Sequence, residues 1–415
     1  MPRAIRCCLL LTVLLGVAGL ARAGDFALHD GDTVVFLGDS ITAARAYGKV
    51  IENYTLLRFP ERKVRFVNAG RGGDTAAGGL ARLERDVLAH GATVLTVAYG
   101  VNDIGWGTKA DDEHKQAYLA GIRGIVEKCR EKKVRVYICS AAVTGADPEK
   151  SETDFLQTMC DEGLALSKKL GGGAIDVQRA MRQIQKRVWM ANEVIKDPAK
   201  KNSLHAADGV HLNDLGQIAM AFAILKGLDA PADVSAATID AATAQAVVEA
   251  GCRISNIKMT DATLEFDRHD EGLPLNQGLF WALNYRFVPI HDELNRYLLS
   301  VQKLVPGQYE LLVEGRMVGK YSADQLARGV NIASATADPW QPGGPWDAQA
   351  AALKNLTDAR HELALSQVLA NAYDADNSGR TAQAARATAI NTQIENLQRD
   401  TARPRPYHFV IRSAK

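Results

Sequence analysis

The sequence predicts an α/β fold in which a parallel sheet is covered by helices on both faces, followed by a module of strands and helices. From residue 33 to residue 228, short apolar runs alternate with stretches of helical length, a pattern typical of parallel strands joined by helices. Near Pro231 the pattern changes to strand-like runs and later to Ala-rich helices. We therefore expect one three-layer α/β domain over residues 24–230 and a C-terminal β-plus-helix module over residues 231–415.

The first 23 residues predict an export signal. Arg3 and Arg6 precede an apolar core, and the small-residue pattern Ala21-Arg22-Ala23 follows it. The apolar core is too short for a comfortable membrane span, although an uncleaved anchor is the alternative. Cleavage after Ala23 would give a secreted or periplasmic protein with no stable membrane span.

Charge and cysteine content narrow the classes of function. The 415 residues include 49 Lys and Arg against 48 Asp and Glu, so neither a nucleic-acid binder nor an electrostatically held membrane protein is expected. The cysteines after the signal form no CxxC or Cys/His cluster, so we expect neither a metal site nor a cofactor. They are Cys129, Cys139, Cys160 and Cys252. The sequence leaves open whether they pair or stay as buried thiols, and it does not indicate the oligomeric state.

The elements of the first domain follow from the alternating pattern. The predicted strands are the apolar runs within residues 33–42, 64–68, 93–100, 134–140 and 174–177. The predicted helices cover residues 47–59, 75–90, 111–132, 152–170, 178–192 and 215–228. Right-handed crossovers should connect the strands.

The elements of the C-terminal module are predicted from short strand-like, turn-like and helix-like stretches of sequence. We expect a helix over 236–250, then antiparallel strands, including a hairpin that turns at Glu314-Gly315-Arg316. The predicted strands are RISNIKMT, ATLEFDRHD, residues 294–304, residues 307–322 and a last strand over 407–412. Two helices should follow Trp346, broken near residues 374–379.

Two other features of the C-terminal module are candidate ligand sites. Asp374, Asp376 and Gly379 imitate the start of an EF-hand loop, but Ala385 stands where the bidentate Glu belongs, so a polar turn is favoured over calcium. A sugar-stacking platform could be built from tryptophans, although a core position is the commoner use of such residues. The tryptophans concerned are Trp281, Trp340 and Trp346.

The first strand ends at Gly38-Asp39-Ser40, just before a helix-compatible segment. Ser40 would therefore lie at the carboxyl end of a strand, where open parallel sheets place their chemistry. A serine hydroxyl beside the start of a helix can act as a nucleophile, because the helical N–H groups favour developing negative charge. The alternative is that Asp39 and Ser40 only cap a turn and a helix.

Three further strand ends carry residues that a serine nucleophile needs. Gly73 lies in a glycine-rich loop whose backbone N–H could face an oxyanion, although a phosphate loop or a tight turn is the alternative. Asn102 could donate to the same oxyanion without adding charge, although Gly-Val-Asn-Asp is most often a turn. Asp208 could orient His211 as a base, with an Asx turn as the alternative and His205 as a competing base.

The four stretches GDSIT, NAGRGGDT, YGVNDI and DGVHLND resemble, in order, the four sequence blocks of the SGNH (GDSL-type) hydrolases, over about residues 31–228. The resemblance implies a flavodoxin-like α/β/α sandwich and ester hydrolysis without a metal. It implies that Ser40 is the nucleophile, His211 the base and Asp208 the residue that orients it. The implied oxyanion hole consists of the backbone N–H groups of Ser40 and Gly73 and the side chain of Asn102.

Secreted SGNH proteins with C-terminal extensions are similar to carbohydrate esterases. The resemblance therefore implies a serine esterase that removes O-acetyl or other short acyl groups from a glycan or a small-molecule ester. Trp106 follows the Asn102 block directly and is expected to line the substrate cleft. A lipase, lysophospholipase or thioesterase is the alternative among enzymes. A catalytically inert carbohydrate-binding protein is the alternative from a different class.

Overall fold

The computed structural model describes residues 26–145, 147–278, 282–334, 343–373 and 377–414. Several predictions concern residues outside these ranges. These are the signal peptide, the two tryptophans Trp281 and Trp340, and the acidic residues of the calcium-like stretch, Asp374 and Asp376.

A five-stranded parallel sheet forms the centre of the first domain, as predicted. Its strands are β1 (Thr33–Gly38), β2 (Arg65–Gly70), β3 (Val94–Ala98), β4 (Arg135–Cys139) and β5 (Gly173–Ile175). They lie in the order β2-β1-β3-β4-β5, which is the flavodoxin-like order. The strand order reverses at β1 and β3, and the crevice outside the carboxyl ends of such strands is where ligands bind.

Helices cover both faces of this sheet and confirm the three-layer α/β/α fold. The helices are α1 (Ser40–Ala43), α2 (Ala46–Arg58), α3 (Ala76–Ala81), α4 (Leu83–Asp86), α5 (Asp112–Glu131), α6 (Phe155–Lys169), α7 (Val177–Asn192) and α8 (Asp214–Gly227). Buried apolar side chains of α2, α7 and α8 share one cluster, and those of α3, α5 and α6 share the other.

The helix predicted over residues 75–90 is not continuous. It is divided into α3, α4 and a 3₁₀ turn, Leu88–His90. The first break falls at Arg82, whose buried guanidinium donates to the carbonyls of Ala69 at 2.7 Å and Gly38 at 3.2 Å. The side chain thereby satisfies carbonyls at the ends of β1 and β2, beneath the edge of the sheet at which the site lies.

The C-terminal module contains two further sheets. Their strands are β6 (Asp233–Asp240), β7 (Gln245–Ala250), β8 (Cys252–Thr260), β9 (Thr263–Asp270), β10 (Arg296–Gln302), β11 (Gln308–Val313), β12 (Arg316–Ser322), β13 (Val330–Asn331) and β14 (Tyr407–Ser413). One sheet has the order β13-β10-β6-β7, and the other has the order β12-β11-β14-β9-β8. The predicted hairpin is present, since β11 and β12 pair antiparallel around Glu314 and Gly315, both with positive φ.

Two predictions for this module are wrong. The helix expected over 236–250 is instead the antiparallel pair β6 and β7, and β10 pairs parallel with β6 although an antiparallel arrangement was expected. The many alanines of this segment favour a helix in isolation. Hydrogen bonding along both edges of β6 overrides that preference, and the β-branched Thr238 and Ile239 suit a strand.

Two long helices, Pro345–Tyr373 and Asn377–Ala402, pack against α2 and form the long helix pair. A buried polar group joins them to the first domain: Glu52 of α2 contacts Arg360, His361 and Gln398, and these four residues are called the Glu52 cluster. Two short α-helices, Ile290–Glu293 and Ala323–Arg328, and a 3₁₀ helix, Leu283–Arg286, also belong to the module.

The two modules share one apolar core. A single cluster of buried side chains runs from Phe36 of β1, through α2 and α8, to Phe266 and Phe409 of the C-terminal sheets. Trp346 is fully buried in it, stacked on Phe409 with 6.1 Å between ring centroids, and is therefore a core residue rather than part of a sugar platform.

Some features are missing from the part of the chain that the structure describes. Its four cysteines are unpaired. None of its helices combines the length and apolar character needed to cross a membrane. Its His, Cys, Asp and Glu side chains do not gather into a group that could hold a metal ion.

Candidate active site

Ser40, His211 and Asp208 form a hydrogen-bonded line at the carboxyl edge of the parallel sheet. Ser40 Oγ lies 2.9 Å from His211 Nε2, and His211 Nδ1 lies 2.6 Å from Asp208 Oδ2. Ser40 is the first residue of α1, and Asp39 caps that helix by accepting a hydrogen bond from the Ile41 backbone at 2.9 Å. The line therefore joins the end of β1 to the loop before α8.

Close backbone approach explains the two glycines at the ends of β1 and β2. A Cβ on Gly38 would lie 2.1 Å from Thr42 Oγ1, and a Cβ on Gly70 would lie 2.2 Å from the backbone nitrogen of Ala43. Any side chain at either position would push α1 away from the sheet. The glycines thus let the chain turn sharply enough to place Ser40 at the sheet edge.

The loop that carries Asp208 and His211 is held by the carboxylate itself. Asp208 Oδ1 accepts hydrogen bonds from the backbone nitrogens of Val210 and His211, both at 2.9 Å, while Gly209 takes φ +70°. The hydrogen bond from His211, helped by those from the backbone, lowers the pKa of Asp208 to about 2. An ionised Asp208 assigns the ring proton to Nδ1 of His211 and leaves Nε2 to accept the proton of Ser40.

Gly73 and Asn102 lie at the next two strand ends, after β2 and β3. Gly73 has φ +71° in the turn that is closed by a 3.3 Å hydrogen bond from the Asp74 nitrogen to the Arg71 carbonyl. Asn102 Nδ2 donates to the Asp74 carbonyl at 3.1 Å, so the amide is tied to the Gly73 loop.

Trp106 lies between the amide of Asn102 and the ring of His211. Its indole Nε1–H donates to Asn102 Oδ1 at 2.9 Å, and its ring meets His211 edge to face with centroids 5.5 Å apart. The side chain is 49% exposed and forms one wall of a recess of about 300 Å³. Other walls of the recess come from Val101, Ile104, Phe155, Leu156 and Val210.

A buried polar layer supports these strand ends. Asp74 Oδ2 accepts hydrogen bonds from Arg82 Nε and from the Tyr99 hydroxyl, both at 2.8 Å. Asp103 accepts from the Ala76 nitrogen at 2.9 Å, and burial raises its pKa to about 6. Burial also raises the pKa of Asp39 to about 6. The role of Arg82 in this layer was missed by sequence reasoning, because an Arg on a predicted helix carries no signal of burial.

His205, the competing base, is engaged elsewhere. Its Nε2–H donates to the Val143 carbonyl at 2.7 Å, and the ring is almost fully buried. Burial lowers the pKa of His205. A neutral, carbonyl-bound imidazole supports the loop before α8 and is not the ring that faces Ser40.

A larger cavity, of about 850 Å³, lies where α2 and α8 end and β6 begins. Phe59, Pro231 and Arg296 are among the residues that line it, and none of the candidate site residues does. The candidate site is therefore the more exposed edge formed by Ser40, His211 and Trp106.

Comparison with known proteins finds a matching family model and solved structures of similar fold. Residues 36–219 match the model of the GDSL-like lipase/acylhydrolase family. The chain has no significant match among curated protein sequences. The structure of BT4096, described as a gut microbial diltiazem-metabolizing enzyme, matches with a TM-score of 0.79 at 24% identity, over 93% of this chain and 98% of that chain.

Smaller proteins match over about half of this chain. A catalytic mutant of Axe2, an acetylxylan esterase from Geobacillus stearothermophilus, matches with a TM-score of 0.41 at 19% identity, over 49% of this chain and 96% of that chain. LAE5 is described as an alpha/beta hydrolase enzyme from the metagenome of Lake Arreo, Spain. Its structure matches with a TM-score of 0.40 at 21% identity, over 49% of this chain and 97% of that chain.

The match to BT4096 extends beyond the residues covered by the family model, so the architecture of the C-terminal sheets also occurs in another protein. The family match covers all four sequence blocks that suggested the resemblance. Residues 36–219 therefore match the GDSL-like lipase/acylhydrolase (SGNH) family, and this match makes the first domain a carboxylic ester hydrolase.

Proposed function

We propose that Ser40 is the nucleophile of this hydrolase, His211 its base and Asp208 the residue that orients the base. The observation that carries the proposal is the hydrogen-bonded line from Ser40 Oγ through His211 to Asp208, at 2.9 and 2.6 Å. Ser40 Oγ attacks the acyl carbon and passes its proton to His211 Nε2. The imidazolium returns that proton to the departing alcohol, which leaves an acyl-enzyme.

The second half of the reaction uses the same groups. Water gives a proton to His211 Nε2 as its oxygen attacks the acyl carbon, and the acid is released when the proton returns to Ser40 Oγ. Each attack places negative charge on the former carbonyl oxygen. We assign the stabilising hydrogen bonds to the backbone N–H groups of Ser40 and Gly73 and to Asn102 Nδ2, an arrangement in which one lost donor typically lowers kcat about 10²- to 10³-fold.

We further propose that the substrate is a carbohydrate that carries O-acetyl or another short acyl group. The side chains of His211 and Asp208 are 38% and 36% exposed, so a bulky, hydrated alcohol can reach the base. The exposed ring of Trp106 offers a surface on which a sugar ring could pack. We assign the acyl group to the recess lined by Trp106 and by Val210, the neighbour of His211, whose volume of about 300 Å³ is at the small end of the roughly 300–1,000 Å³ range of ligand pockets.

Export is part of the same proposal, because polymeric carbohydrate esters occur outside the cytoplasm. We propose that cleavage after Ala23 releases the mature protein into the periplasm or the medium. Mass spectrometry of the purified exported protein should give a chain that begins at Gly24. A chain that retains residues 1–23 in the membrane fraction would contradict this.

The test of function compares wild type with Ser40→Ala on four substrates: acetylated xylan, p-nitrophenyl acetate, p-nitrophenyl palmitate and diltiazem. We expect acetate release from the polysaccharide and a kcat/KM for the acetate ester well above that for the palmitate ester. Diltiazem belongs in the panel because BT4096, which shares the architecture, is described as metabolizing it. Ser366→Ala is a matched control, since Ser366 is an exposed serine on the long helix pair.

The outcomes separate mechanism from substrate. Loss of all activity in Ser40→Ala, with Ser366→Ala unchanged, supports the assignment of Ser40. Full activity in Ser40→Ala would refute it. A preference for the palmitate ester would leave the mechanism standing but replace the carbohydrate esterase with a lipase.

A further inference from the structure

The segment that carries Trp106 has an uncommon backbone conformation. Trp106 takes φ +59° and ψ +34°, in the left-handed region that bulky residues rarely adopt. Gly105 and Gly107 on either side also have positive φ, at +53° and +90°. The Trp106 backbone N–H donates to the Val101 carbonyl at 2.9 Å, which closes the loop over β3. Unfavourable backbone conformations of this kind persist where the surroundings hold them, and they cluster at functional sites.

This loop places the indole of Trp106 against the side-chain oxygen of Asn102, and the contact fixes the orientation of the amide. Trp106 Nε1 can only donate, and it donates to Asn102 Oδ1 at 2.9 Å. On the other side of the amide, the Asp74 carbonyl can only accept, and it accepts from Nδ2 at 3.1 Å. A flipped amide would set its NH₂ group against the indole N–H and its oxygen against a carbonyl. Both contacts would be repulsive, so the two neighbours together select one orientation.

The selected orientation leaves one Nδ2 hydrogen available. An asparagine amide has two N–H bonds, and within the described residues one of them is engaged by the Asp74 carbonyl. Asn102 follows β3, and Ser40 follows the adjacent strand β1, so both lie at the same edge of the sheet. The remaining N–H is therefore the one with which Asn102 can serve an oxyanion formed at Ser40.

We propose that Trp106 is a positioning residue that fixes the amide of Asn102, so that an Nδ2–H is presented to the oxyanion before substrate arrives. The inference rests on the proposed function, because it needs Ser40 as the nucleophile and Asn102 as an oxyanion donor. Its physical basis is preorganisation, since a donor already held in place needs no reorientation during the reaction. The indole N–H of Trp106 thus acts through Asn102 in the transition state, and on a substrate without a sugar it does not change substrate affinity.

The test is a double-mutant cycle on p-nitrophenyl acetate, with Trp106→Phe, Asn102→Ala and the combined variant. Trp106→Phe keeps a ring beside His211 and removes only the indole donor. We expect it to lower kcat about five- to twentyfold, less than the roughly 10²- to 10³-fold loss for an oxyanion donor, with KM within twofold of wild type. In the Asn102→Ala background, the same change should have no further effect. Trp189→Phe, at a similarly exposed tryptophan on α7, should leave kcat unchanged.

Three results would overturn the inference. They are an unchanged kcat in Trp106→Phe, an equal loss of kcat in the wild-type and Asn102→Ala backgrounds, and a shifted acid limb of the pH–rate profile, which would mean that Trp106 acts through His211. Circular dichroism and the melting temperature establish that each variant is folded. Ser40→Ala separates this inference from the proposed function, because full activity in that variant would refute the function itself.

Discussion

The Glu52 cluster makes a sharp prediction about how the long helix pair is held to the first domain. Arg360 of the long helix pair donates through Nε to Glu52 Oε1 at 3.2 Å and through Nη2 to Oε2. His361 Nε2 and Gln398 Nε2 lie 3.0 and 2.8 Å from the same carboxylate. Burial alone would raise the pKa of Glu52, but Arg360 and His361 outweigh it and lower the pKa to about 2.

Replacing Arg360 with Met should leave a buried carboxylate without its cation. Glu52 is only 2% exposed, so we expect the free energy of unfolding at pH 7 to fall by about 3–5 kcal/mol, as is typical when one partner of a buried pair is removed. The assay is urea unfolding followed by tryptophan fluorescence. Arg65→Met is the matched control, because Arg65 is 54% exposed and 3.9 Å from Glu395, and such a pair contributes about 0–1 kcal/mol.

The pH dependence of the same variant has a definite sign. In the wild type, the depressed pKa of Glu52 contributes stability above pH 4.5, and this contribution is lost as pH falls from 4.5 toward 2. In Arg360→Met, burial acts without the guanidinium and raises the pKa of Glu52, so the carboxyl takes up a proton at mildly acidic pH. The difference in stability between wild type and variant should therefore shrink from pH 7 to pH 5.

The double variant Glu52→Leu/Arg360→Met completes the test. It removes both charges, and we expect it to recover much of the lost stability, since apolar replacements of buried pairs are often tolerated. A loss below 1 kcal/mol in Arg360→Met would refute the reasoning. A stability difference that does not change between pH 7 and pH 5 would refute it equally.

Three further predictions concern the site. Asp208→Asn should lower kcat about 10⁴-fold, because an amide no longer enforces the His211 tautomer, and loss below tenfold in steady-state assays would contradict this role. Since the pKa of Asp208 is about 2, its titration should not appear in the pH–rate profile between pH 5 and 8. Gly38→Ala should lower the free energy of unfolding in urea by about 1–3 kcal/mol, because its Cβ would lie 2.1 Å from Thr42 Oγ1. Unchanged stability would show that α1 can move away without cost. His205→Gln should keep kcat within about tenfold of wild type while His211→Gln loses about 10³-fold or more, and the reverse order would make His205 the base.

The arrangement of the candidate site was largely predictable from the sequence. Carboxyl ends of parallel strands meet at one edge, so Ser40, Gly73 and Asn102 had to lie near one another once their strands were recognised. The three-residue spacing of Asp208 and His211 in a loop lets a carboxylate reach back to the ring. Both conclusions depend on local spacing and on strand direction, which the apolar pattern reveals.

The contacts that the sequence did not predict depend on an unusual backbone conformation or join residues far apart in the chain. The hydrogen bond from Trp106 to Asn102 depends on three successive left-handed residues, and Gly-Trp-Gly does not by itself indicate that conformation. Pairing in the Glu52 cluster joins residues more than 300 positions apart. The prediction of a helix over 236–250 failed for a related reason, because one of the two partners of β6 is β10, which lies about 60 residues later.

The position of β14 bears on the order in which the chain can assemble. β14 pairs with β9 on one side and β11 on the other, so a strand near the end of the described chain lies in the middle of a sheet. During synthesis, every residue needed for the Ser40–His211 line emerges from the ribosome long before Tyr407 does, and N-terminal domains generally fold first. The sheet β12-β11-β14-β9-β8, in contrast, stays divided into two separate strand pairs until β14 has been synthesised.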